Sequence, residues 1–325
     1  MDILDRVCDR LGVPMAPHKR DGPTTCLIFL GIEIDTVAGE LRLPADKLER
    51  LESLLREWGS KKSCQRKQLE SLIGLLNHAC KVIRPGRSFL RRLLDLLHAT
   101  GSRPEGNSII RLNKDCRADI AWWLEFVRDW NGRSFLCPIQ SLPVVEMASD
   151  ASGSWGCGAW HDDKWFQVSW NGRGTQLSIA GKELVPIILA CAAWGQSWQA
   201  CRVRCWCDNQ VVVAALRSRT SRDSGVMHLL RCLVFIEAIL GCRVHGEYID
   251  TYANHLADDL SRDRAYCFLS KVPTARRQPS PTSPQLLQLL LNPDADWVSL
   301  RWRQQFTVIF KRGLQRPHEE LMMRP

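Results

Sequence analysis

Short apolar and β-prone runs in the middle of this chain give way to strands that alternate with stretches of helical spacing. The run Val144-Val145-Glu146-Met147-Ala148-Ser149 predicts a strand that ends at Asp150. Trp155 to Trp160 and Trp165 to Trp170 are short β-prone runs separated by His161-Asp162-Asp163-Lys164, which predicts a hairpin. A helix over Ala180 to Trp198 follows, then a strand over Cys201 to Cys207, helices over Asn209 to Ser218 and Ser224 to Leu240, a strand over Cys242 to Ile249, and a closing helix. Strands that pair locally and then alternate with helices imply a mixed five-stranded sheet with helices on its faces, an α/β architecture.

The segment before it has helical period only. Lys47 to Trp58 places Leu48, Leu51, Leu54, Leu55 and Trp58 on one face, with Pro44 at the first turn. Gln65 to Ile83 repeats the pattern until Arg84-Pro85-Gly86 breaks it, and Arg87 to His98 and Leu112 to Trp130 give two more amphipathic helices. This is an all-α module whose last helix carries Trp122, Trp123 and Trp130, expected in the core rather than as a base-stacking platform. Arg84, Arg87, Arg91 and Arg92 cluster near its middle. They fit either contact with nucleic-acid phosphates or an ordinary solvated helix face. After Arg262, Lys271 to Pro284 has the proline-rich composition of a linker, and helical spacing returns at Leu286 to Leu291 and Trp297 to Leu314.

Composition narrows the setting. Lys and Arg outnumber Asp and Glu by 44 to 35, a net charge of +9 that suits a polyanionic partner. No run of eighteen apolar residues occurs and the N-terminus lacks a signal pattern, so a soluble intracellular protein, cytoplasmic or nuclear, is expected, with no membrane association. The 14 cysteines are scattered and without CxxC pairs, which reads as reduced core thiols. Cys205 and Cys207 share one face of a strand and are expected to pack there.

Four carboxylates stand where chemistry is placed on such a fold: Asp150 and Asp208 at strand ends, Glu183 near a helix start, and Asp258 in a closing helix after Asn254. Singly, each has an ordinary reading as a turn, cap or surface residue. Their order and contexts, Ser149-Asp150-Ala151-Ser152, Lys182-Glu183-Leu184, Cys207-Asp208-Asn209-Gln210 and Asn254 with Asp258, resemble the ribonuclease H family over roughly Pro143 to Tyr266. The resemblance implies a ribonuclease H-like fold, with Asp150, Glu183, Asp208 and Asp258 as catalytic ligands of two Mg²⁺ ions, or of Mn²⁺ in their place. It also implies cleavage of the RNA strand of RNA/DNA hybrids. Asp259 is expected to face solvent. Neither His245 nor His255 falls where some of that family carry a loop histidine, so no catalytic histidine is assigned. Transposases and integrases share the fold but place a Glu last, whereas here it comes second.

A second resemblance lies upstream. Leu11-Gly12-Val13-Pro14 and Thr24 through Thr36, with its Phe29-Leu30-Gly31 strand, look like the end of a reverse transcriptase palm. Leu41-Arg42-Leu43-Pro44, His78-Ala79-Cys80, Pro85-Gly86-Arg87 and Asp129-Trp130-Asn131-Gly132 bring the likeness closest to DIRS-like retrotransposons. It divides the chain into the end of a palm (1–45), a helical thumb and connection (46–132), the ribonuclease H-like domain (143–266), a linker (270–285) and a helical tail (286–325). The tail's stretch from Asp296-Trp297 to Phe306 resembles the opening helix of a tyrosine recombinase. The polymerase acids of such a protein would precede Met1, so the chain is expected to be the carboxyl-terminal part of a polyprotein, without polymerase activity of its own. The competing expectation is an inactive nucleic-acid-binding remnant.

Overall fold

The computed structural model describes residues 2–14, 16, 22–99, 109–132, 134–135, 142–170, 176–199 and 201–292. It divides into two compact units, Met1–Gly86 with Arg92–Pro138 and Arg87–Arg91 with Ile139–Pro325.

The first unit begins with α1 (Asp2–Leu11) and a hairpin of β1 (Cys26–Phe29) and β2 (Ile32–Asp35). The sequence suggests one strand through Phe29-Leu30-Gly31, but Phe29 pairs with Ile32 and the two residues between them turn the chain. Leu30 and Gly31 both have positive φ (49° and 75°), the primed turn that suits a two-residue hairpin loop. Strands β3 (Glu40–Arg42) and, from far along the chain, β6 (Ser134–Phe135) complete a sheet of order β1-β2-β3-β6. The Arg42 guanidinium lies against Glu33, Asp35 and Glu40, drawing three acids of this sheet to one cation.

Helices α2 (Ala45–Ser60), α3 (Arg66–Ala79), α4 (Arg91–Ala99) and α5 (Lys114–Trp130), with the ribbon of β4 (Ser63–Gln65) and β5 (Ile109–Arg111), form the rest. Leu48, Leu51, Leu55 and Trp58 of α2 are buried, as their spacing predicts. Trp122, Trp123 and Trp130 are buried among one another's rings, so they serve the core. Helices α2 and α5 are also joined by charge: Arg128 donates from Nε and Nη2 to the two oxygens of the buried Glu52 (2.7 and 2.8 Å). That fork holds the Glu52 carboxyl below its ordinary value. Residues Arg84–Phe89 form a 3-10 turn rather than the start of a longer helix. At Gly86 an added Cβ would collide with the Trp123 ring, so the chain passes over the indole only because no side chain stands there.

The second unit is built on one sheet of order β11-β10-β7-β8-β9. Its strands are β7 (Val144–Ala151), β8 (Gly156–His161), β9 (Lys164–Ser169), β10 (Arg202–Cys207) and β11 (Arg243–Tyr248). β7, β8 and β9 run antiparallel in sequence order, while β10 joins β7 and β11 in parallel. This is the ribonuclease H-like mixed sheet with flanking helices.

Helix α6 (Ile179–Trp194) packs on α8 (Ser224–Leu240) and on β7 and β8. Helices α7 (Gln210–Ser218) and α9 (His255–Ser261) lie against β11 and against β7 to β9 respectively. α6 carries apolar residues all round and is buried over most of its length. The end of the Ala180 to Trp198 helix is a separate 3-10 turn, Gly195–Trp198.

α10 (Ala265–Lys271) and α11 (Pro284–Leu291) follow. Between them, the segment with linker composition is fixed to the domain. Arg276 N–H donates to Asp163 O (2.8 Å), Ser280 N–H to Trp165 O (2.7 Å), the Trp165 indole to Arg276 O (2.7 Å) and the Trp194 indole to Ser280 Oγ (2.9 Å). Ala275 is buried with Trp165, Leu260 and Phe268. The expectation of a loose linker is therefore corrected: this is a strap with its own hydrogen bonds. The helix expected over Trp297 to Leu314, and with it the recombinase-like stretch, lies outside the described residues.

Candidate metal centre

The site follows from where two parallel strands stop pairing. The last rung between β7 and β10 joins Ala148 to Trp206, and beyond it β7 continues against β8 alone. Asp150 and Asp208 each stand two residues past that rung. They flank the crevice that opens at the carboxyl ends of β7 and β10, the point in an α/β sheet where ligands gather.

Asp150 sits opposite Gly158 and is 6% exposed. Asp208 follows β10 directly, and the helix-capping role open to it belongs to its neighbour: Asn209 Oδ1 accepts the Val211 and Val212 N–H groups (3.0 and 3.3 Å). Glu183 is carried by α6, whose start is fixed by Ser178 Oγ accepting Gly181 N–H (3.3 Å). It is buried and takes a hydrogen bond from the Ala151 backbone. Asn254 Nδ2 donates to Ser149 O (3.2 Å), docking the start of α9 beside Asp150 and bringing Asp258 to the same place.

The acids influence one another. Burial, then the charges of Asp208 and Asp258, push Asp150 up to about 6, against the pull of a hydrogen bond from Ser261 and the charge of Arg262. Burial, then Asp150 and Asp208, push Glu183 up to about 9. Among the described residues no basic side chain forms an ion pair with Asp150, Glu183 or Asp208. A buried carboxylate without a counter-charge is costly. Two of them together are a donor set that a hard dication fits.

Asp258 differs. Arg262 Nε donates to one of its oxygens (2.7 Å) and Arg264 Nη2 to the other (2.5 Å), so both face guanidinium groups. The expectation that Asp259 faces solvent is wrong: it is buried, and it pairs with Arg264 (3.2 Å) and Lys271 (2.6 Å). An acid so tied is a structural anchor between α9 and α10.

Sequence reasoning also passed over Cys207. Its Sγ, a Glu183 oxygen and an Asp208 oxygen lie within 4.8 Å of one another. The alternation in Cys205-Trp206-Cys207 showed that both thiols share a face; only the path of α6 shows that Glu183 shares it too.

Close helix approach is part of the geometry. A Cβ at Gly158 would meet Leu260 of α9, with the Leu260 carbonyl carbon at 2.9 Å. Gly158→Ala should therefore cost about 1–3 kcal/mol by overpacking and lift α9, with Asp258, off the sheet. Urea denaturation measures it, and an unchanged midpoint would contradict this seating of α9.

Of the four arginines read as phosphate contacts, Arg84 and Arg87 are exposed and Arg91 is half-buried. Arg92 is taken: Nη1 donates to the buried Asp119 (3.1 Å) and the side chain also pairs with Asp115. In the structure it ties α4 to α5.

Sheet order and crevice together define a domain of ribonuclease H-like architecture. The sequence matches no protein-family model and no curated protein. Among solved structures it is similar to a foamy viral protease-reverse transcriptase in complex with an RNA/DNA hybrid: 16% identity, TM-score 0.32, covering 77% of this chain and 33% of that one. It is also similar to the foamy viral protease-reverse transcriptase dRH in complex with double-stranded DNA, at 14% identity and TM-score 0.27, covering 70% and 38%. The chain thus spans about a third of the length of these proteins. No described helix is long and apolar enough to cross a membrane.

Proposed function

We propose that this chain is a metal-dependent endonuclease that cleaves the RNA strand of RNA/DNA hybrids, and that it belongs to the reverse transcriptase polyprotein of a DIRS-like retroelement. The observation that carries this reading is the meeting of Asp150, Glu183 and Asp208, from three distant stretches, at one crevice with no ion pair to a basic side chain among the described residues. These three would hold the ions, with Asp258 joining once released from Arg262 and Arg264. Two Mg²⁺ or Mn²⁺ ions bound there supply charge neutralisation at the attacking and leaving oxygens of the phosphodiester. The protein's part is to fix the carboxylates, through Asn254 on Ser149 and the Ala151 N–H on Glu183. Exposed Trp155, Tyr248 and Tyr252, on segments next to the crevice, offer faces for base or sugar contact, and Arg84 and Arg87 offer phosphate contacts.

The test is a labelled RNA/DNA hybrid beside double-stranded DNA, with the full chain. RNA should be cut only with Mg²⁺ or Mn²⁺, duplex DNA spared, and binding should weaken steeply with salt. Equal cutting of both substrates sinks the assignment to hybrids. A second reading, a remnant that binds hybrids without cutting them, is favoured by the two arginines on Asp258. Salt-sensitive binding with no cleavage in either metal would decide for it.

A further inference from the structure

Behind the carboxylates the wall is sulfur. Cys157 of β8 and Cys205 and Cys207 of β10 are buried. Of these, Cys207 Sγ is 4.0 Å from Glu183 Oε2 and joins it and Asp208 in the compact trio described above. A tetrahedral zinc ion with a Zn–S bond of about 2.3 Å and a Zn–O bond of about 2.1 Å holds S and O about 3.6 Å apart. The Cys207–Glu183 pair is a few tenths of an ångström from that separation, and the Asp208 oxygen lies within 4.8 Å of both. Magnesium has no use for the sulfur, whereas soft and borderline cations prefer it. Glu183, nine-tenths buried, has no ion-pair partner among the described residues to balance its charge, and only the Ala151 N–H and the Cys207 thiol stand against it.

We propose that Glu183, Cys207 and Asp208 form a mixed thiolate–carboxylate site for a thiophilic dication such as Zn²⁺, with the fourth position open to water. The site takes Glu183 and Asp208 from the nuclease reading above and adds Cys207. Ligation forms a metal–sulfur bond and sends the thiol proton to solvent, with no oxidation or reduction. Because two ligands are shared with the hard-ion centre, Zn²⁺ and Mg²⁺ exclude each other, and Zn²⁺ becomes a regulator that switches the nuclease off.

Co²⁺ is the probe, because a thiolate on Co²⁺ gives a charge-transfer band in the near ultraviolet whether or not the protein cuts anything. Full-length protein with its accessible thiols alkylated beforehand should take one Co²⁺ per chain with that band, and Zn²⁺ should displace it. Cys207→Ser should lose the band, Asp208→Asn should need at least about tenfold more Co²⁺ to reach it, and Cys205→Ser should keep it. No band in the wild-type protein, or a band surviving in Cys207→Ser, overturns the site. Should Cys207→Ser fail to fold, Asp208→Asn decides, since an undiminished band at the same Co²⁺ concentration overturns the site equally. A band without Mg²⁺-dependent cleavage defeats the nuclease reading and leaves this one standing; cleavage without a band does the reverse.

Discussion

Glu183→Gln should lose cleavage by roughly a hundredfold or more, as expected when a group that positions transition-state charge is removed, and yet lose the pH sensitivity that weakens the metal-free wild-type protein. In the folded state burial and two neighbouring acids raise Glu183 from its ordinary 4.5 to about 9, and Asp150 from 3.8 to about 6. Both raised groups bind more protons folded than unfolded. Stability is therefore fully present below pH 4 and falls as pH rises, through about 6 for Asp150 and on to about 9 for Glu183. Each tenfold gain in proton affinity on folding is worth about 1.4 kcal/mol, so the loss by pH 8 is on the order of a few kcal/mol. Gln carries no charge at any pH, and the variant should show a flatter profile between pH 5 and 9. Mg²⁺ should restore the wild-type protein at pH 8, because a ligand of the folded state stabilises it. It should do far less for the variant. Denaturation profiles at several pH values, with and without Mg²⁺, check this; a wild-type profile that rises from pH 5 to 8 without metal would contradict the carboxylate environment described.

Arg219→Ala should be the most damaging single change away from the crevice, by about 3–5 kcal/mol. Arg219 ends α7 in the left-handed conformation, with φ 59°. From there its Nη2 donates to Glu237 Oε1 (2.8 Å) and to Val244 O. Glu237 also accepts the Val244 N–H (2.6 Å). Burial raises the Glu237 carboxyl, while Arg219 and that N–H pull it back down. The pair is about nine-tenths buried on both sides. Removing the cation leaves a buried carboxylate between α8 and β11 with only the Val244 N–H and the charge of Arg243 to offset its desolvation. Glu237→Gln in the Arg219→Ala background should recover part of the loss, since a neutral amide still accepts the Val244 N–H. Arg219→Lys should fall between, because the ammonium keeps the charge but sits on a shorter, differently shaped stem than the one that places Nη2. Urea denaturation of the three variants measures the series, and an Arg219→Ala midpoint equal to wild type would show the pair to be idle.

The strands β10 and β11 were legible because one face of each is the more deeply buried, which writes period two into Arg202–Cys207 and Arg243–Tyr248, while β7 was legible as a short apolar run buried on both faces towards its end. Asp150 and Asp208 were legible as the first acids at the ends of those runs. What the sequence hid depends on partners far along the chain. The hairpin at Leu30-Gly31 lacks the usual Asn-Gly or Asp-Gly signal, so two strands looked like one. Asp259 looked exposed because Lys271 and Arg264, which pair with it, lie beyond the end of its own helix. Arg92 looked like a free cation because Asp119 comes one helix later. Residues 272–283 looked loose because prolines suppress every local period, while the indoles of Trp165 and Trp194 that hold them sit about a hundred residues earlier.

That strap has a consequence beyond stability. β9 is the last strand of its sheet, and such an edge offers its outward N–H and C=O groups to any passing chain. The carbonyls of Asp163, in the turn before β9, and Trp165, in β9, are already taken by the N–H groups of Arg276 and Ser280. The prolines around them, Pro273, Pro279 and Pro281, have no N–H with which to recruit a further strand. The same residues that defeat periodicity thus close the β9 side of the sheet against extension by a second copy.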